Sequence, residues 1–401
     1  MATREGRTIR LDLRPLTALA TDAELRAAWA DLLHRAADPN PFYGPDFLVP
    51  LVETCARAPV SCAVVIETRG AAHPRLLAFL PLVAQRPIPL VRPRLLAAFT
   101  HAMAVDSTPL LDGEDPLVAA EGLLAALALH APGARLRLPL LAQGATRDAL
   151  AAALRACGGA EARLGMHERA ALVRPEPPDA RPDPLAGLAS AKYLSKLRRL
   201  ERRLAEEGDL AARTLAGPDA EAGVEALLAL EGAGWKGAAG TALASRADTT
   251  RFARDALTGA AQAPRIVVDL LAVGGAPVAA DLHLVAGARA ATFKTAYDEA
   301  RAKTSPGMLL HARVARETRA GRFAERVDSC AVPGHPVEAL WTDRIAFSDT
   351  LIDPAPGADG RGLAREAARL ARVEALLHTG KARAKRLLGR RETALRPREA
   401  G

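Results

Sequence analysis

The sequence predicts a mixed α/β protein of two tandem domains, each a mostly antiparallel sheet flanked by helices. Three observations carry this. A chain of 401 residues with 49% hydrophobic content can bury two sizeable cores. Aromatic residues make up only 3%, so those cores are built from Ala, Leu and Val, which favours helices packed on sheets over a small aromatic-rich barrel. The stretch PEPPDARPDP, Pro175 to Pro184, resists helix and strand alike. It opens a linker at 175–188 between domains at 1–174 and 189–350, with a helix and basic tail at 351–401.

In the first half, residues 9–16 read as a strand. Thr21 reads as the cap of a helix reaching Ala37, with Leu25, Trp29, Leu32 and Leu33 inward. Turn formers crowd Asp38 to Pro45, and a short helix follows from Asp46. Strands are predicted at 62–68, 76–83, 95–99, 135–141 and 164–173, and helices at 117–129 and 147–157. His101, Asp106 and Ser107 share one segment, but no GxSxG elbow surrounds Ser107. This half offers no chemistry.

The second half opens on AKYLSKLRRLERRLAEEG. Leu194, Leu197, Leu200 and Leu204 form an apolar stripe, while Lys192, Lys196, Arg198, Arg199, Arg202 and Arg203 fill the other faces. Such a helix suits RNA, a membrane or an anionic substrate, or is a solvated face. The lack of interleaved aromatics favours the last. A strand at 210–215 and a helix at 219–230 lead into EGAGWKGAAGTAL, a glycine-rich loop carrying Trp235 and Lys236 and able to wrap a ligand. After a helix at 249–261 come three strands, 265–273, 277–285 and 289–297, joined by Gly274-Gly275 and Ala286-Gly287. Ser305-Pro306-Gly307 then opens a helix, with Ser305 as N-cap, Pro306 at the first position and Leu310 and Val314 inward. Gly321 stops it. A strand at 323–330, a helix at 363–378 and a basic, solvated run at 381–398 complete the chain.

The net charge of +8 allows nucleic acid, anionic lipid or a polyanionic cofactor as partner. Cys55, Cys62, Cys157 and Cys330 form no CxxC or Cys/His cluster and read as idle thiols in a reducing cytosol. The polar start MATREGRTIRLDLRPL carries no apolar leader, and Leu117–Leu129 is too short to span a bilayer, which needs ~20 residues. A cytoplasmic protein without a membrane span is expected.

A strand that feeds a helix through a loop with Arg301 and Lys303 presents unpaired N–H groups, a helix dipole and two cations, a setting for a pyrophosphate. Spacing alone puts an ordinary crossover with solvated charges slightly ahead. The stretch FKTAYDEARAKTSPGMLL, the run WKG-x-x-GTAL, and Asp328-Ser-Cys followed by His335-Pro and Trp341 resemble the tandem-GNAT acyltransferases linked to cellulose biosynthesis. These share a double-GNAT architecture with FemAB-like enzymes. The resemblance covers Lys192 to Arg344 well and the first half weakly, which implies a degenerate N-terminal GNAT-like copy. One departure is plain: the usual phosphate loop reads Arg/Gln-x-x-Gly-x-Gly/Ala, and here Gly307 stands alone.

The resemblance implies an acyltransferase that moves an acetyl or acyl group from acyl-CoA to an amine or hydroxyl of a small molecule or saccharide. It implies no metal and a polysaccharide-related role. The donor would be held by Arg301, Lys303, Ser305, Gly307 and Met308, and an N–H of the strand ending near Tyr297 would face the carbonyl. Candidate bases are His335 first, because imidazole titrates near neutrality, then Asp328, Asp281 and His283. Asp281 and His283 lie two apart and share a strand face. Asp328 as a turn cap and His283 as a hydrogen-bonded sheet residue remain open. Tyr297 either protonates the departing thiolate or packs. Trp235, Lys236, Asp281, His283, Lys294 and Asp298 are the substrate-facing candidates. Two rivals stand: a FemAB-like transferase using aminoacyl-tRNA, and a non-catalytic ligand-binding or scaffold protein. Nucleic acid is not the expected partner.

Overall fold

The computed structural model describes residues 2–4, 7–70, 73–85, 95–258 and 265–376. In the first half the strands are β1 (Ala2–Arg4), β2 (Arg7–Pro15), β3 (Ser61–Arg69), β4 (Arg75–Ala84), β5 (Leu95–Ala98), β6 (Leu110–Leu111), β7 (Arg135–Ala142) and β8 (Ala160–Val173). In the second they are β9 (Leu210–Ala216), β10 (Ile266–Val273), β11 (Ala276–Ala286), β12 (Arg289–Tyr297), β13 (Arg326–Asp328) and β14 (Asp343–Asp353). All fourteen belong to one sheet among the described residues, ordered β1-β2-β3-β4-β5-β7-β14-β8-β13-β12-β11-β10-β9, with β6 beside β4. Helices cover both faces, so the mixed, mostly antiparallel architecture is as expected.

The halves repeat one plan. In each, antiparallel strands are followed by a helical crossover and a parallel pair, β5 with β7 across the Pro116–His130 helix and β12 with β13 across the Pro306–Arg319 helix. The hairpin from β10 to β11 turns through Gly274 and Gly275, whose φ values of 56° and 83° are those of a two-residue turn matched to strand twist. Below one sheet face, Leu194, Leu197, Leu200 and Leu204 of the Ala191–Ala205 helix are buried with Leu310, Val314 and Trp341. Each such leucine contributes about 2 kcal/mol on leaving water. On the opposite face Phe47, Phe252 and Phe293 meet edge-on, with ring centroids 5.3 to 6.2 Å apart, and join the two halves.

Several local expectations are corrected. Asp22, not Thr21, caps the Ala23–Arg35 helix, its carboxylate accepting from the Leu25 amide at 3.1 Å. The strand expected at 323–330 shrinks to β13. The Trp235 loop contains a short helix, Trp235–Ala238. Strand β14 was not expected at all, and it pairs with β7 on one side and β8 on the other. The expected helix at 363–378 begins at residue 360 and is described to 376, and the basic run at 381–398 lies outside the described residues. No helix among the described residues is long and apolar enough to cross a membrane.

Strand β14 belongs to the second half yet lies between two strands of the first, while β8 bridges β14 and β13. A cut in the linker therefore strips each half of ladder partners. Residues 1–188 and 189–401 produced separately are expected to be insoluble or unfolded, and co-expression to return a soluble complex. Size-exclusion chromatography and circular dichroism decide, and cooperative unfolding of either half alone would contradict the shared sheet.

Candidate active site

The site begins where two strands part. β12 and β13 pair only over Arg289↔Arg326, Ala290↔Val327 and Ala291↔Asp328. Beyond that point Asp328 accepts the Cys330 amide at 2.9 Å, Ser329 accepts the Ala331 amide at 3.2 Å, and Cys330 takes a left-handed conformation, φ 51°. These local bonds replace ladder bonds and peel the chain away from β12. β12 itself continues against β11 to Tyr297, with a bulge at Phe293 that shifts the register between His283↔Thr292 and Leu282↔Lys294. The result is a wedge between two interior strands of the sheet, a cavity of about 440 Å³.

On the face covered by the Pro306–Arg319 helix, the cavity is lined by Thr292, Thr295, Tyr297, His311, His335 and Trp341. The helix buries a stripe of Gly307, Leu310, His311, Val314, Ala315 and Thr318, so His311 points at the sheet with the core residues. Its Nδ1 lies 2.8 Å from Oδ2 of Asp281, which is fully buried. Burial would raise the Asp281 carboxyl, but His311, His283 and Thr295 together hold it below its ordinary value. Trp341 fixes the helix by donating from Nε1 to the His311 carbonyl at 3.2 Å. His335 sits across the cavity, 6.4 Å from His311 between ring centroids, and its Nδ1 accepts the Val337 amide at 3.2 Å. Burial and the His311 charge hold His335 below its ordinary 6.5.

The other face presents Trp235, Lys236, Phe293 and Lys294. Glu231, 1% exposed in its side chain, lies 3.0 Å from Lys236 Nζ and 4.0 Å from Lys294 Nζ. Burial lowers Lys294, Glu231 offsets this, and Lys236 adds to it.

The helix mouth is less open than the sequence suggests. Asp298 caps a tight turn over Glu299–Thr304, accepting the Ala300 amide at 3.0 Å. Arg301 is paired with Asp298 and, at 2.9 Å, with Glu207. Lys303 is exposed. Ser305 occupies the expected cap position, yet its backbone is left-handed, φ 51°, and its side chain makes no capping bond. Its carbonyl instead accepts the Met308 and Leu309 amides at 3.0 and 3.2 Å.

The structure thus gathers His335, Tyr297, Trp235, Lys236 and Lys294 in one cavity and places Asp281 directly behind it. Arg301, Lys303, Ser305, Gly307, Met308 and Asp298 cluster at the adjoining helix mouth. His283 is fully buried in the sheet, beside Thr292 (3.2 Å) and Asp269 (3.6 Å). Asp328 does not line the cavity. It is ion-paired at 2.6 Å with Arg169 of β8, whose guanidinium also bonds the Val105 carbonyl and lies 3.8 Å over the Phe347 ring. His311 is the functional candidate that sequence reasoning missed. Its signal was its place on the inward stripe, three residues before Val314. Cys330 lines the wedge, and burial pushes its thiol well above the ordinary range.

Residues 191–331 match the family model described as "Acetyltransferase (GNAT) domain". No curated protein sequence matches the chain. Among solved structures, FemX is 11% identical over 85% of this chain and 97% of its own, with a TM-score of 0.51. A tandem GNAT protein from the clavulanic acid biosynthesis pathway is 16% identical over 87% of this chain and all 100% of its own, at TM-score 0.40. L-PGS from Bacillus licheniformis is 13% identical over 73% of this chain and 86% of its own, at 0.40. The region from the basic helix to the wall of the wedge is therefore similar to an acetyltransferase (GNAT) domain, and the chain shares its fold with FemX.

Proposed function

We propose that the protein is an acyltransferase that moves an acyl group, acetyl in the simplest case, from acyl-CoA to an amine or hydroxyl of a small molecule or saccharide. One observation carries this reading: the wedge between β12 and β13 runs through the sheet with an Asp281–His311 pair on its wall. The residues present fit such a donor. At the helix mouth exposed Lys303 would meet its phosphates beside Ser305 and Gly307, and Arg301 would exchange a carboxylate partner for one of them, while the Met308 amide is already taken by the Ser305 carbonyl. Bound donor supplies a thioester carbonyl as electrophile.

The protein's own groups divide the remaining work. The Asp281 charge 2.8 Å from Nδ1 of His311 favours the proton on that nitrogen, which leaves the Nε2 lone pair to take the acceptor's proton. His335 has the opposite tautomer, because its Nδ1 is an acceptor, and it offers an Nε2–H toward the carbonyl. Tyr297, 37% exposed at the strand end, supplies the proton that leaves with sulfur. Beyond Ala291, β12 has no strand on its wedge side, which frees backbone donors there.

A donor carried on tRNA is favoured by one feature. The exposed basic face of the Ala191–Ala205 helix packs beside the helix mouth, and Arg301 reaches Glu207 just past it. Calorimetry separates the readings. Micromolar binding of acetyl-CoA is expected. Silence toward acetyl-CoA together with salt-sensitive tRNA binding would overturn it.

A further inference from the structure

The wall of the cavity contains Lys236, Lys294, His311 and His335 and, among its lining residues, no carboxylate. On the face of Lys236 and Lys294 the acid is Glu231, which lies beneath the wall and is already committed, while Asp281 stands behind the opposite face beside His311. Oε2 of Glu231 accepts the Leu243 amide at 2.8 Å, and its Oε1 is divided between Lys236 at 3.0 Å and Lys294 at 4.0 Å. On this face one buried carboxylate therefore serves two ammonium groups, which leaves positive charge in excess there. Only a fifth to a quarter of each lysine side chain is exposed, 22% for Lys294 and 27% for Lys236, so solvent screens that charge incompletely.

This arrangement is built. A Cβ at Gly237 would come within 1.8 Å of the Gly232 carbonyl, so only glycine allows the turn that delivers Lys236 to Glu231. Lys236 Nζ also donates to the Thr295 carbonyl of β12 at 3.3 Å. The Trp235 amide is held by Glu299 at 2.6 Å, with the indole 59% exposed at the rim. Lys294 has no such second bond and is the ammonium left facing the cavity.

We infer that the acceptor is a small amine or alcohol carrying an anionic group, a carboxylate or a phosphate, which Lys294 binds on the face opposite His311. The inference rests on the acyl-transfer reading above and narrows its acceptor. Lys294 sets specificity and takes no part in the chemistry. The same charge works against polyamines and other cationic acceptors, which would bring like charge against Lys236 and Lys294.

Matched probes test it. Glucosamine 6-phosphate is compared with glucosamine, and phenylalanine with phenylalaninamide, by ligand-observed NMR on the full chain. At least tenfold tighter binding of the member that bears a phosphate or carboxylate over its partner without one is expected, and the pair that shows it identifies phosphate or carboxylate as the group read. In Lys294→Met the preference falls below threefold, while Lys294→Arg retains it. Equal binding within both pairs, binding by none of the four, or a preference that survives Lys294→Met would each overturn the inference. Acetyl-CoA titrated in parallel keeps the two ideas apart. An anion preference without acetyl-CoA binding rejects the donor and leaves the anion site. Acetyl-CoA binding with transfer only to neutral acceptors rejects the anion site alone.

Discussion

His311→Ala is expected to lower kcat by roughly 10²- to 10⁴-fold, the usual contribution of a positioned general base, with KM for the donor changed little. The backbone bond from Trp341 is kept, but the variant strands the fully buried Asp281 and loses stability as well, so circular dichroism accompanies the kinetics to show that kcat is read on folded protein. Asp281→Asn removes the charge that orients the imidazole and should lower kcat by a smaller factor. His335→Gln keeps an N–H donor and is expected to retain most activity at neutral pH. His335 is held below 6.5, so it is uncharged above that pH and gains a proton only in more acid solution. The pH–rate profiles of wild type and His335→Gln should therefore diverge only below pH 6.5. Steady-state kinetics from pH 5 to 9 check all three. An unchanged kcat in His311→Ala would remove it from the mechanism.

Arg169→Ala is expected to destabilise the protein by about 3–5 kcal/mol, the cost of stranding a buried partner. Its side chain is 6% exposed and that of Asp328 11%, and the pair lies 2.6 Å apart. Burial raises the Asp328 carboxyl above its ordinary 3.8, and Arg169 offsets this. A group with a raised native pKa binds protons more readily folded than unfolded, so its charge weighs against the fold most at high pH. Without Arg169 the pKa rises further. The stability lost should be largest at neutral pH and above, and shrink as the pH falls toward that raised value. Urea unfolding at pH 7 and pH 5 measures it. Because Asp328 holds the Cys330 turn, donor binding should weaken in the same variant. The first half then acts on the site through the Arg169–Asp328 pair.

How much of this could be read from the chain depends on the range of the interactions. The β10–β11 hairpin was legible because Gly274-Gly275 lies between two apolar runs, and the Pro306–Arg319 helix because proline and the Leu310/Val314 stripe mark it locally. β14 was not, since its partners β7 and β8 lie far upstream and nothing near residues 343–353 announces them. The same holds for the site. A histidine on a buried helical stripe reads as core until the facing strand is known to carry Asp281. Asp328 reads as a base until Arg169 is found beside it. Trp235 and Lys236 stood out as a pair in a glycine-rich loop, and the structure places both at the cavity, but the short helix and Glu231 that fix them were not legible.

The claim on which the rest depends is that the acyl donor enters the wedge. Hydrogen exchange followed by mass spectrometry, with and without saturating acetyl-CoA, tests it directly. Slower exchange is predicted in residues 292–297, 305–310 and 329–331, the two edges of the wedge and the helix mouth. Exchange unchanged in those segments, or slowed only in the first half, would contradict it.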